Sequence, residues 1–392
     1  MSVRKRPISL GMQLLLFSVT RLILTTGFRM IYPFLPVFAR GLGVSLAAVA
    51  FGVTLRSLLG LAAPLFSALP ESRGKRIGTV VGFVFFVVGM FVVPLNPIYL
   101  VFLASLMLVM IAKIVVDPSV QGYVADNVDF SKRGRAIAIT EFSWSGAFLI
   151  GVPLVGLLIA YAGWIAPFPV LGALGLLSTI ALWVLIPSDR PTKTLNRVQG
   201  SMFLAILKDR PALAALGVTF LIGTANELVA IVFGAWLEVS FGLQVVALGA
   251  ASAVIGLAEF GGESFVAVIS DHIGLRLSVA LGITGSILAG LSLPFLGGSL
   301  AGALLGLFLL FLTFEATVIA SIPLITELFP RGKATLLSGN IAAFSAGRAV
   351  GALLGPIIFS FGLIGNGAAS AILNLIALFV LWKFVRLTPT SK

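Results

Sequence analysis

The chain has 392 residues, is 59% hydrophobic and only 10% charged, and carries a formal net charge of +12 with a mean hydropathy of +1.14. No soluble globular domain combines those values, and a nucleic-acid reading of the basicity fails because no soluble basic domain exists to carry it. With no cysteine and a single histidine (His272), disulfides, thiol metal sites and a metal-ligand cluster are excluded, and no metal or cofactor is expected.

In chain order, the apolar runs predict an all-α membrane protein of twelve spans, at roughly 11–39, 46–69, 77–94, 98–124, 136–161, 166–186, 212–239, 245–269, 277–296, 300–327, 335–361 and 366–384. Span 1 is too long for a cleavable signal and holds two arginines, so it is read as retained. At its outer end, Tyr32-Pro33-Phe34-Leu35-Pro36 predicts a bend, suited either to an outer gate or to a frayed helix end. The stretch 187–211, punctuated by Pro187, Pro191 and Pro211, is the only sizeable hydrophilic one. It separates a six-span bundle at 1–186 from a second at 212–392, and Met202–Leu207 within it reads as an amphipathic surface segment. Of the 26 Lys and Arg, 20 fall on one predicted side. That places both termini and the linker in the cytoplasm, in a cell (inner or plasma) membrane. The outer loops are too short for a receptor ectodomain.

The two bundles repeat each other. Residues 67–76 (SALPESRGKR) and 267–276 (AVISDHIGLR) align acid with acid, Glu71 with Asp271, then Gly74 with Gly274 and Arg76 with Arg276. Arg133-Gly134-Arg135-Ala136 matches Arg331-Gly332-Lys333-Ala334 in the same way. Two related membrane halves with charged hairpins at matching places are the pattern of a secondary transporter. No phosphate-binding loop is present, because Gly332-Lys333-Ala334 lacks the upstream glycine and the hydroxyl. Uphill work would therefore draw on an ion or substrate gradient.

Eleven ionisable residues lie well inside the spans, away from their ends: Arg21, Arg29, Arg56, Lys113, Asp117 and Glu141, then Glu227, Glu259, Glu263, Glu315 and Arg348. Burial in a bilayer costs several kcal/mol on any scale, so each needs a partner, a water-filled cavity or a task. All avoid spans 3, 6, 9 and 12, which implies a shared interior. The first half's midplane is cationic and the second's mostly acidic. Arg21, Arg29, Arg56, Lys113 and Arg348 are candidates to hold an anionic group of a substrate. Glu227, Glu259, Glu315 and Asp117 are candidates to carry a proton. The plain alternative is mutual neutralisation, as for Lys113 and Asp117 at i, i+4, or for Glu141 near the cytoplasmic end. Spans 5 and 11 carry small-residue ladders (Gly146, Gly151, Pro153, Gly156 and Gly347, Gly351, Gly355, Pro356), suited to close helix packing and rocking.

With those loops in place, the whole chain resembles the major facilitator superfamily, whose loop between spans 2 and 3 reads G-x-L-a-D-r-x-G-r-k. Here Ser67 replaces the leading glycine and Glu71 the aspartate. The resemblance implies two six-helix bundles, with spans 1, 4, 7 and 10 lining a central cavity and spans 3, 6, 9 and 12 facing lipid. It also implies a cytoplasmic gate of Glu71, Gly74, Arg76, Asp126, Asp271, Gly274, Arg276 and Glu327. Arg76 would pair with Asp126, or alternatively Asp129, and Arg276 with Glu327. The chain is similar to the drug and organic-compound proton antiporters of that family, whose G-x-x-x-G-P signature in span 5 is broken here at Gly151-Val152-Pro153. The intact form, Gly351 to Pro356, is in span 11. The resemblance implies a monomer in the lipid bilayer whose partners are protons and a small molecule. The expected function is proton-coupled export of an amphipathic or anionic organic compound by alternating access. Uptake symport of an anionic nutrient, flipping of a lipid-linked substrate, and a non-transporting scaffold or sensor are the alternatives.

Overall fold

The computed structural model describes residues 8–63, 73–189, 205–206, 208–329 and 332–385, with side chains throughout except at 130, 131, 133–135, 267, 269–271 and 334. Those residues are almost entirely helical, with no strand among them. Up to residue 185 the helices are α1 (Leu10–Arg29), α2 (Leu35–Leu42), α3 (Leu46–Leu59), α4 (Lys75–Leu95), α5 (Tyr99–Asn127), α6 (Phe130–Gly146), α7 (Val152–Ala162) and α8 (Pro167–Leu185). From residue 210 they are α9 (Arg210–Ala230), α10 (Phe233–Phe241), α11 (Val245–Ile273), α12 (Leu275–Leu296), α13 (Leu300–Leu328), α14 (Lys333–Phe359) and α15 (Leu363–Phe384). Among the described residues eleven stretches, single helices or helices joined end to end, are long and apolar enough to cross a bilayer; α3 reaches that length only when counted with α2 across a bend of 112°, which would make twelve.

Two compact units form. One is Met1–Ile31 with Ala62–Thr194, and the other is Tyr32–Leu61 with Leu195–Lys392. The division falls inside span 1, at the break between α1 and α2. Pro33 has no N–H to donate and Pro36 sits in the first turn of α2, so the helix ends at Arg29 and restarts at Leu35. The intervening residues are buried, which makes this a designed break and not a frayed end. Span 7 breaks at the matching place, between α9 and α10, at Ile231 and Val232. Asn366, fully buried on α15, donates to the carbonyls of Leu228 and Gly355 at 2.7 and 3.0 Å beside that break.

The second unit's core fills the space between α9, α12, α13, α14 and α15, with Val218, Ile222, Val279, Ile283, Leu324 and Leu336 among its buried members. The ladder on α14 is its seat for α9. Gly347 lies against the Phe220 carbonyl, Gly351 against Glu227, and Gly355 against Ile231. In the first unit Gly151 lies against Thr26 of α1. Both ladders thus seat a broken span within their own unit. Just before Pro153, residues Ala147–Gly151 form a π-turn, which absorbs the hydrogen bond that proline cannot make.

Candidate functional site

Two ion networks are built from the charged residues of the spans, one in each unit. In the first, Arg21 on α1 reaches α5 and α6. Its Nε donates to Asp117 Oδ1 at 3.1 Å, and Nη1 and Nη2 donate to Glu141 at 2.9 and 3.2 Å. Nη1 also donates to the Thr140 carbonyl. Lys113 Nζ lies 2.8 Å from Asp117, so the i, i+4 pair forms, and Gln121 donates to Glu141. Arg29, about two turns further along α1, stacks its guanidinium 3.6 Å from the Phe148 ring centre and 4.2 Å from that of Trp144, whose carbonyl accepts from it.

The second network gathers four spans around one phenol. Tyr32, in the break of span 1, donates its hydroxyl to Glu227 Oε1 on α9 at 2.9 Å. Its oxygen accepts from Arg56 on α3 at 3.3 Å and, closely, from Arg348 on α14. Arg348 Nε completes a 2.9 Å ion pair with Glu227 Oε2. Glu227 is 1% exposed and Arg56 is completely buried. The cations and donors around this carboxylate offset the hydration it loses on burial. Glu259 on α11 and Glu315 on α13 are buried in the same unit.

Past Tyr32 along span 1, α2 packs against α10, the matching part of span 7. Gly234 of α10 lies against the Pro33 carbonyl, a contact that any side chain would obstruct. Further out, Arg40 Nη1 pairs with Glu238 at 2.6 Å. α2 and α10 end alike, at Gly43 and Gly242, with φ of 65° and 64°.

The hairpin residues differ from the expected pairing. Asp126 pairs with Lys75, at 2.6 Å, and Glu327 with Lys333, at 3.7 Å. Arg76 instead stacks on Trp183 and donates to its carbonyl at 2.6 Å. Arg276 does the same with Trp382, also at 2.6 Å. Each arginine thus caps the C-terminal end of the last span of its half, where free carbonyls attract a cation. Helix α4 is capped by Asp189, which accepts from the Lys75 and Arg76 amides at 2.5 and 3.1 Å. Gly74 and Gly274 have φ of 101° and 86°, as the turn requires. Glu71 lies outside the described residues, as does the Asp271 side chain. Sequence reasoning also missed the roles of Trp144, Phe148 and Asn366. The spacing of Trp183 and Trp382, 199 apart, was a usable signal for the arginine clamp.

A family model described as Major Facilitator Superfamily matches residues 17–339. The chain is 25% identical over 323 residues to the uncharacterized MFS-type transporter YbcL of Bacillus subtilis (strain 168), covering 81% of each chain. It is 26% identical over 351 residues to YceJ, another uncharacterized MFS-type transporter of that organism, covering 88% of each. Among solved structures it resembles a bacterial homolog of the human lysosomal transporter Spinster in an inward-facing, unoccupied conformation. There the TM-score is 0.77 at 15% identity, over 97% of this chain and 99% of that one. It resembles equally a POT peptide transporter in complex with alafosfalin, with a TM-score of 0.77 at 14% identity, over 100% of this chain and 97% of that one. At such identities these likenesses show the fold alone.

Proposed function

The chain belongs to the major facilitator superfamily, a family of multi-pass membrane transporters with an alternating-access fold, and from that premise we propose that it is a proton-coupled secondary transporter. It exports a small amphipathic or anionic organic compound, works as a monomer in the cell membrane, and keeps both termini in the cytoplasm. The observation that carries this reading is Glu227, a buried carboxylate in span 7 tied to Tyr32 of span 1 and Arg348 of span 11. Ionised, Glu227 holds the two other spans by charge-assisted bonds; protonated, it loses most of that attraction. A proton would thus loosen a tie that lies directly under the packed outer ends of spans 1 and 7. Glu259 and Glu315, buried in the same unit, are secondary proton carriers in this scheme, and Asp117 is a further one.

A second reading, uptake symport of an anionic nutrient, is favoured by one feature. Arg56 and Arg348 converge on a single phenol oxygen, a geometry that would also suit one oxyanion. The hairpin corners, Gly74 with Arg76 and Gly274 with Arg276, together with Asp126 and Glu327, form the cytoplasmic gate in either reading.

Proteoliposomes test both. Substrate-driven proton flux is measured for the wild type and for Glu227→Gln, Glu259→Gln and Glu315→Gln. Loss of flux in Glu227→Gln, in protein that remains folded, makes Glu227 the coupling group, and the sign of flux separates export from uptake. Retained coupling in all three variants makes these glutamates structural counter-ions and leaves Asp117 as the one carboxylate to test in this scheme.

A further inference from the structure

The first unit holds an ammonium group in a setting that would recognise one from outside. Lys113 Nζ lies 2.8 Å from Asp117 Oδ2, 5.1 Å from the Trp144 ring centre and 5.5 Å from that of Phe28. A carboxylate flanked by two aromatic faces is a general solution for binding alkylammonium ions, because the anion and both ring faces attract the same charge. The Phe28 and Trp144 rings are themselves 6.3 Å apart, and tilted, so they form two walls of one corner. This corner reaches the unit's surface: the side chains of Asp117 and Glu141 are 25% and 35% exposed.

We propose that Lys113 is a tethered occupant of a binding site for the ammonium group of an amphipathic organic cation. The incoming cation takes Asp117 and the Trp144 and Phe28 faces, and the lysine, on its flexible four-carbon stem, swings out. Asp117 keeps Arg21 at 3.1 Å throughout, so one of its two cationic partners is fixed and the other exchangeable. Arg21 cannot play the exchangeable part, because Asp117, Glu141 and the Thr140 carbonyl hold its fork from several sides. Arg29 backs the aromatic wall by stacking on Trp144 and Phe148. With Lys113 swung out, Arg21 leaves one of the two carboxylate charges uncompensated, so the corner favours a cation over an anion. The purpose of the site, cargo recognition, rests on the transporter reading; its ligand chemistry does not.

The test uses the full chain in detergent with Trp144 as its sole tryptophan, the other four replaced by Phe. Benzylamine is titrated against Trp144 fluorescence, with benzoate as the charge-reversed control. Saturable quenching by benzylamine and none by benzoate is the expected result. Removal of the competitor in Lys113→Met tightens benzylamine by roughly tenfold, and Asp117→Asn weakens it by roughly tenfold, the scale of one charge-assisted contact. If Lys113→Met does not give monodisperse protein, Lys113→Arg takes its place and weakens benzylamine, since a guanidinium stacks and pairs more firmly. Saturable benzoate quenching, or affinity indifferent to both positions, overturns the site. Benzylamine-driven proton flux in proteoliposomes separates the two ideas. Binding without flux leaves the site and sinks the transport reading, whereas flux without binding at Trp144 does the reverse.

Discussion

The two ion networks use the same residue types to opposite ends. In the first unit Arg21, Lys113, Asp117 and Glu141 make a formally neutral set, with both acids reaching the surface. Around Tyr32 in the second unit, two guanidiniums share one phenol oxygen and the fully buried Glu227. The first network has several routes to satisfy each charge, so losing one member leaves the others partly paired or hydrated. The second concentrates its attraction on one carboxylate and one hydroxyl. A single proton therefore changes more in the second network than in the first.

The sharpest way to break that contrast is Arg348→Met. With its ion-pair partner gone, Glu227 is left buried and under-compensated, and the expected loss is about 3–5 kcal/mol of stability. The companion Glu227→Gln, made in the same chain, should return most of it. The check is urea unfolding of the detergent-solubilised protein, comparing the single variant with the double. A double variant as unstable as the single would mean that Arg348 works through packing against Phe344 and α9 and not through charge.

Arg21→Met should cost less, about 1–3 kcal/mol, the range for leaving hydrogen-bonded partners unsatisfied. Asp117 keeps Lys113 and Glu141 keeps Gln121, and both acids are only partly buried. The same unfolding measurement decides it. A loss equal to that of Arg348→Met would erase the distinction between a distributed network and a concentrated one.

Much of this was legible from the sequence because membrane burial is so restrictive. Span number, the avoidance of spans 3, 6, 9 and 12 by charge, and the pairing of Lys113 with Asp117 follow from helix periodicity and the cost of a lone ion. The hairpin partners were not legible. Lys75 and Arg76 are adjacent bases on a helix start, and only the turn at Gly74 decides that Lys75 points to Asp126 while Arg76 points to Trp183. Nor does any local pattern say that Tyr32, beside two prolines, is the meeting point of four spans. The repeat itself runs deeper than its motif. Every positive-φ residue described is a glycine, and they fall into pairs 199 or 200 apart: Gly43 with Gly242, Gly74 with Gly274, Gly163 with Gly362. The two halves have diverged in side chains while keeping the left-handed turns that no other residue adopts cheaply.

Those paired turns supply a smaller test of the same comparison. Gly274→Ala should cost about 1–3 kcal/mol, the strain of a positive φ with extended ψ, a backbone conformation that essentially only glycine adopts. Nothing else stands in the way there. Gly74→Ala should cost more, because a Cβ would also stand 3.0 Å from Asp189 Oδ1 and push the carboxylate off the two amides it caps. Thermal unfolding of the two variants side by side gives the difference. Equal losses would mean that Asp189 yields without cost, and that the corner of the first half is no better anchored than that of the second.

The smallest effect should come from Arg40→Ala, in the last turn of α2. The pair with Glu238 is short, 2.6 Å, but the Arg40 side chain is 59% exposed, so water competes for it and salt screens it. A stability change of about 1 kcal/mol or less follows, and raising ionic strength should reproduce it in the wild type. Opening at this end would then be limited by what lies beneath, the close seat of Gly234 on the Pro33 carbonyl and the bonds from Tyr32 to Glu227 and Arg348. Transport by Arg40→Ala at wild-type rate, beside the loss expected for Glu227→Gln, would place the resistance to opening in the buried cluster. A large change in rate from the surface pair alone would move it outward, to the ion pair that solvent already reaches.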